Sequence, residues 1–163
     1  MKAKLFLISL VLLFFVRISY GQESIEIPLN NLSEEWTPFY EGNSIQLSFK
    51  ESACTDPAGG RTIDRLLIQI QNKTGNRVLV NWHYDIYNTE GCITCDDPVD
   101  ENLFRFILTP NQIISPDCNS FKVVDEELGH RETLGIYLKY SERTDVSDTQ
   151  RIEISDFSTY VLD

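Results

Sequence analysis

Between positions 78 and 87 the chain alternates without a break. Val78, Val80, Trp82, Tyr84 and Ile86 fall on one side, and Leu79, Asn81, His83, Asp85 and Tyr87 on the other. Successive side chains of an extended chain point to opposite faces, so this run predicts a strand with one buried face and one mostly wet face. The alternation recurs at Ile45, Leu47 and Phe49, at Leu66, Ile68 and Ile70, and at Leu134, Ile136, Leu138 and Tyr140. Ile25 with Ile27, residues 103–108 and residues 152–161 add three more strands, and residues 36–40 an eighth. The closing strand is expected to bulge near Ser155 and Asp156, where the alternation changes phase. Nothing matches a long amphipathic helix. The weak exception is 123–128, where Val124 and Leu128 could share one helical face.

Seven or eight half-buried strands separated by Gly, Pro, Asn and Asp each have one face to hide. The expectation is an all-β fold: a two-layer antiparallel β-sandwich, immunoglobulin-like or a related Greek key, with a closed barrel as the alternative. Residues 64–87 read as a hairpin about a three-residue loop, Lys73-Thr74-Gly75, with Gly75 at positive φ. That register pairs Ile70 with Val78, Ile68 with Val80 and Leu66 with Trp82, and sets Arg65 opposite His83 on the wet face. Residues 110–131 read as the longest irregular connection.

Upstream of the first strand, Lys2 and Lys4 precede an apolar run from position 5 to position 16, and Ser19 and Gly21 set small residues at minus three and minus one of a cleavage site. Residues 1–21 therefore read as a secretory signal peptide, and 22–163 as a single domain. The run is shorter than the roughly 20 apolar residues that a spanning helix needs, so no membrane insertion is expected after cleavage. Fourteen bases against 25 acids give a formal charge of -11. Cleavage after Gly21 removes three bases and no acid, which leaves -14. A surface of that sign cannot neutralise phosphates, so nucleic acid is not an expected partner.

Cys54, Cys92, Cys95 and Cys118 are even in number and all follow the cleavage site. Two disulfides in a secreted or periplasmic protein are expected. Three connectivities are open; the short spacing of Cys92 and Cys95 leans toward their local closure and Cys54 with Cys118, without settling it. A catalytic Cys-x-x-Cys sits at a helix N-terminus that lowers the thiol pKa, whereas Glu90, Asp96 and Asp97 here would raise it. Zinc sites normally use two close cysteine pairs, and only one is present.

Five carboxylates, Glu90, Asp96, Asp97, Asp100 and Glu101, gather around the second cysteine pair. They form the alternative calcium site, although their spacing departs from the EF-hand pattern. The run Asp125-Glu126-Glu127 reads as a solvated loop or a single helical turn. His83 and Asp85 share a strand face, yet no nucleophile elbow, zinc-binding helix or phosphate loop accompanies them, so no enzyme is expected and a small hydrolase is the least favoured reading. Trp36, Phe39 and Tyr40 around Pro38 read as an edge strand whose rings plug the sandwich, with a stacking platform for a sugar or peptide as the rival. Leu79 and Tyr87 read as singly exposed apolar positions that need no explanation. Asn31-Leu32-Ser33 and Asn72-Lys73-Thr74 are glycosylation sequons, relevant only in a eukaryotic host, the second expected to project from a hairpin tip.

The Tyr20-Gly21-Gln22 cleavage region, the run from Ser44 to Cys54, Asn72-Lys73-Thr74, Cys92 with Cys95, Cys118 and the closing strand resemble a group of small exported all-β proteins of Bacteroidota. The resemblance covers most of the mature chain and implies an exported domain of uncharacterised function, with no site residues carried over. The expected function is a secreted, non-catalytic interaction domain, stabilised by disulfides, whose partner is an extracellular protein or glycan bound through loops or a sheet edge. No cofactor is expected, calcium at the 92–101 loop being the alternative.

Overall fold

A computed structural model describes residues 24–55, 59–95, 102–140 and 148–162. Twelve strands and one short 3-10 turn make up the described chain. They are β1 (Ile25–Ile27), β2 (Thr37–Glu41), β3 (Ile45–Thr55), β4 (Thr62–Asn72), β5 (Arg77–Asn88), β6 (Gly91–Cys92), β7 (Leu103–Leu108), β8 (Ile113–Ile114), β9 (Lys122–Asp125), β10 (His130–Thr133), β11 (Gly135–Tyr140) and β12 (Arg151–Leu162). All pair antiparallel. One sheet runs β1-β12-β5, with β6 and β7 sharing the far edge of β5. The other runs β11-β4-β3-β2, with β8 also on β4, and β9–β10 is a separate hairpin. The count exceeds the seven or eight expected because β6, β8, β9 and β10 are two to four residues long. Strands that short carry no apolar alternation to read.

The two sheets pack face to face as a sandwich, and the alternating residues are its core. Leu47, Phe49, Leu66, Ile68, Ile70, Val78, Val80 and Trp82 are all fully buried. Trp82 stacks on Phe104 with centroids 3.8 Å apart and meets Tyr84 edge-on at 5.7 Å. The expected bulge is present: the β12–β5 register slips between Ser155 and Ser158, where Asp156 takes a φ of 53°. That slip turns Phe157 toward the ring of Tyr40, 4.8 Å away. Residues 36–40 contribute the expected edge strand, with Pro38 beside Ser48 where no further strand is paired among the described residues.

The 64–87 hairpin is overturned. β4 pairs with β3, β11 and β8, whereas β5 pairs with β12, β7 and β6, so the two consecutive strands lie in different sheets. Ile70 sits beside Leu47 and Ile114, Val78 beside Val161 and Leu108, and Trp82 beside Phe104. Arg65 lies beside Ser52, with its guanidinium 4.5 Å from the Phe121 ring. Matching apolar phases require only that two strands aim at one core, and facing each other across it satisfies this as well as pairing does. Asn72 fixes the crossover. It is fully buried; its Oδ1 accepts from the N–H and hydroxyl of Thr74, and its Nδ2 donates to the carbonyls of Asn76 and Thr109. Gly75 keeps a φ outside the left-handed region. The sequon asparagine is thus spent inside the fold and does not project.

Residues 110–131, expected to be irregular, hold β8, β9 and the start of β10. The expected helical turn at 123–128 is a hairpin, closed by Gly129 at a φ of 72° and by the Asp125 carboxylate, which accepts from the N–H groups of Glu127 and Leu128. Asp125 is 2% exposed, so it is not a solvated loop residue. Between β8 and β9 the chain crosses the outer face of the β3–β4 sheet. Gln69 donates to the Ser115 hydroxyl, Phe121 lies under Arg65, and Cys118 is bonded to Cys54. This cover explains why Leu67, on the outward side of β4, is fully buried. A Cβ at Gly135 would meet the Phe121 ring at 2.8 Å, so the approach admits only glycine.

Candidate functional site

The outward face of the β12-β5-β7 sheet carries the polar side chains singled out in the sequence. His83 Nδ1 and Asp85 Oδ1 are 2.9 Å apart, both part-buried. Register sets Glu153 beside Asp85 and Arg151 beside Tyr87, with the Arg151 guanidinium 3.8 Å over the Tyr87 ring and 3.1 Å from Glu153. The disulfides are Cys54–Cys118 and Cys92–Cys95. They suit an oxidising, extracellular type of compartment. Carboxylate and sulfur atoms of Asp85, Cys92 and Cys95 lie within 4.8 Å of one another. With both sulfurs in a disulfide, that grouping offers no thiolate to a metal.

The loop carrying the second disulfide docks into a gap in the sheet. β7 covers one edge of β5 from Val78 to His83, and β6 covers Tyr87 and Asn88. Between them Thr94, 8% exposed, takes a strand's place: its hydroxyl accepts from Ile86 N–H at 2.8 Å and donates to the Tyr84 carbonyl at 2.7 Å. Ile93 N–H donates to the Ile86 carbonyl at 2.8 Å. In sequence, a threonine between cysteines gives no signal of the edge that Thr94 fills.

The free edge of β7 is closed by side chains. Ile107 N–H donates to Asp125 Oδ2, His130 Nε2 donates to the Arg105 carbonyl at 2.9 Å, and Arg105 N–H donates to the Glu132 carboxylate. Backbone acceptors at Arg105 and then Leu128, together with the Glu132 and Asp125 charges, raise the His130 pKa. Burial raises that of Glu132 although His130 Nε2 stands 2.7 Å away. Burial also pushes the Tyr84 phenol far above its ordinary range.

At the other end of the same face the side chains are apolar. Register aligns Ile107, Leu79 and Tyr160 in one row across β7, β5 and β12. Leu79 is therefore part of a patch and not an isolated exposure. Tyr160 is 58% exposed, and Val124, beside Ile107 in a groove of about 420 Å³, is 52% exposed. β12 pairs with β1 only from Ile152 to Ile154, and beyond the bulge no described strand covers its outer edge.

Of the five carboxylates expected around calcium, Glu90 is exposed at a turn where its N–H donates to Asn88 Oδ1. Asp96, Asp97, Asp100 and Glu101 lie outside the described residues, as does the 1–21 leader. The aromatic platform is committed elsewhere: Lys50 Nζ sits 4.7 Å over Trp36, Phe39 packs on Phe49, and Tyr40 on Phe157. No described helix is long and apolar enough to cross a membrane. Comparison with family models, curated proteins and solved structures finds no match for this chain.

Proposed function

We propose that the chain is an exported, non-catalytic interaction module, an immunoglobulin-like or related Greek-key sandwich, that binds an extended segment of another protein along the outer edge of β12. The observation that carries this reading is the coincidence of that edge, to which no described strand is paired from Phe157 to Leu162, with the Ile107–Leu79–Tyr160 row and the exposed Val161. A strand edge presents alternating N–H and C=O groups that only another backbone matches in register, while neighbouring side chains give selectivity. A glycan is less well served, since the rings of residues 36–40 are engaged and Tyr160 offers a single exposed aromatic ring. The charge of -14 that cleavage of residues 1–21 would leave, 11 bases against 25 acids, steers the choice toward a segment that mixes apolar and basic residues.

The test is selection from a displayed library of extended peptides against the full chain, followed by hydrogen exchange on the complex. Binders should be basic and apolar in alternation, should protect amides between residues 156 and 162, and should lose at least tenfold in affinity on Tyr160→Glu. Protection elsewhere, or affinity indifferent to Tyr160→Glu, refutes the reading; a glycan array response in its place would transfer the function to sugars.

A further inference from the structure

The two disulfides differ in exposure. Cys54 is 4% exposed and Cys118 half-buried, and their bridge spans 64 residues and ties the segment that covers the β3–β4 sheet to β3. Cys92 and Cys95 are three residues apart at exposed positions. Their loop is also held to β5 by β6, the Ile93 N–H and the two hydrogen bonds of Thr94. None of these contacts is made by the sulfur–sulfur bond itself. Cys95 N–H donates to Cys92 Sγ at 3.0 Å, which stabilises negative charge on that sulfur and makes Cys92 the better leaving group.

We propose that Cys92–Cys95 is a thiol–disulfide exchange site for dithiols, opened while Cys54–Cys118 and the sandwich persist, and that the Asp85 carboxylate sets its rate. A donor thiolate attacks Cys95 Sγ; the new sulfur–sulfur bond forms as the bond to Cys92 breaks, and the electron pair leaves on Cys92 Sγ. The donor's second thiolate attacks the donor sulfur of this mixed disulfide and expels the Cys95 thiolate. Both cysteine sulfurs take up protons, equal in number to those the donor thiols released to water, and the donor departs as a disulfide after a two-electron transfer. Asp85, anchored by His83 at 2.9 Å, lies within 4.8 Å of both sulfurs. Its negative charge opposes the incoming thiolate and the one that leaves, so it acts as a brake.

Pulsed dithiothreitol on the full chain, quenched by alkylation and read by peptide mass mapping, tests the site. Cys92 and Cys95 should be labelled at least tenfold faster than Cys54 and Cys118, with near-ultraviolet circular dichroism unchanged at that stage. Concerted labelling of all four, or earlier loss of Cys54–Cys118, overturns the proposal. Asp85→Asn should speed opening about threefold to tenfold, with a pH profile that still follows the ionisation of the dithiothreitol thiols. Should that variant fail to fold, Asp85→Ser serves instead; an unchanged or slower rate removes Asp85 from the scheme.

Discussion

Asp125 and Ile107 are joined by a 2.6 Å hydrogen bond in which a backbone N–H at the rim of one sheet donates to a carboxylate belonging to a different hairpin. Asp125 also accepts from the N–H groups of Glu127 and Leu128, so one buried side chain both shapes its own turn and docks it. Asp125→Ala should lower stability by about 2 to 3 kcal/mol, since buried donors lose their acceptor. Urea denaturation measures the loss, and Ile107 should show the largest gain in hydrogen exchange. A change below about 0.5 kcal/mol would mean that water replaces the carboxylate at no cost.

Two other side chains by which this hairpin docks on β7 should make stability depend on pH. His130 and Glu132 both have folded-state pKa values above their ordinary 6.5 and 4.5, so at each the folded chain holds its proton more tightly than the unfolded chain. Their contribution is fully present below the ordinary value and is lost as pH rises through the raised one. Stability should decline from about pH 4.5 upward through Glu132 and again above about pH 6.5 through His130. In a His130→Gln variant the upper step should vanish from melting curves collected across pH while the lower step remains.

Asn72 makes four hydrogen bonds from a fully buried position, two of them to the carbonyls of Asn76, at the end of the crossover, and of Thr109, just beyond β7. Asn72→Ala should cost about 2 to 4 kcal/mol, because the carbonyls and the Thr74 donors it served are left without partners. Folded protein made in a eukaryotic secretory host should carry no glycan on Asn72, as intact mass will report. A glycosylated yet fully folded species would contradict the buried amide.

Loop-closure entropy separates the disulfides. Replacing Cys54 and Cys118 together by Ala should cost about 4 kcal/mol, and replacing Cys92 and Cys95 about 2 or less, because a cross-link over a longer loop restricts the unfolded chain more. Chemical denaturation of the two double variants decides it. Equal losses would show that the 115–121 cover holds without its pin.

The sequence made the core legible because alternation reports which side of a strand is buried. Val78, Val80 and Trp82 were assigned inward and are fully buried. It did not report which strand is the neighbour. Ile70 and Val78 have compatible phases whether paired or facing, and the buried amide of Asn72 that tells the cases apart looks in sequence like any turn asparagine. The His83–Asp85 approach followed from two-residue spacing alone. Thr94, Asp125 and Glu132 gave no signal, since each works by replacing a missing strand backbone at a place that only the assembled sheets define. Leu79 looks isolated in sequence for the same reason: its apolar neighbours, Ile107 and Tyr160, are far away along the chain.

Because β5 takes its partners from β7 and from β12, its two flanks are completed by segments made long after it. A ribosome that has released everything up to position 140 has produced Trp82 and most of its surroundings but not the strand that flanks it from Arg151 onward. No stable half of this sandwich is expected to form during synthesis; it closes in one late event, and until then its apolar strands need a holder.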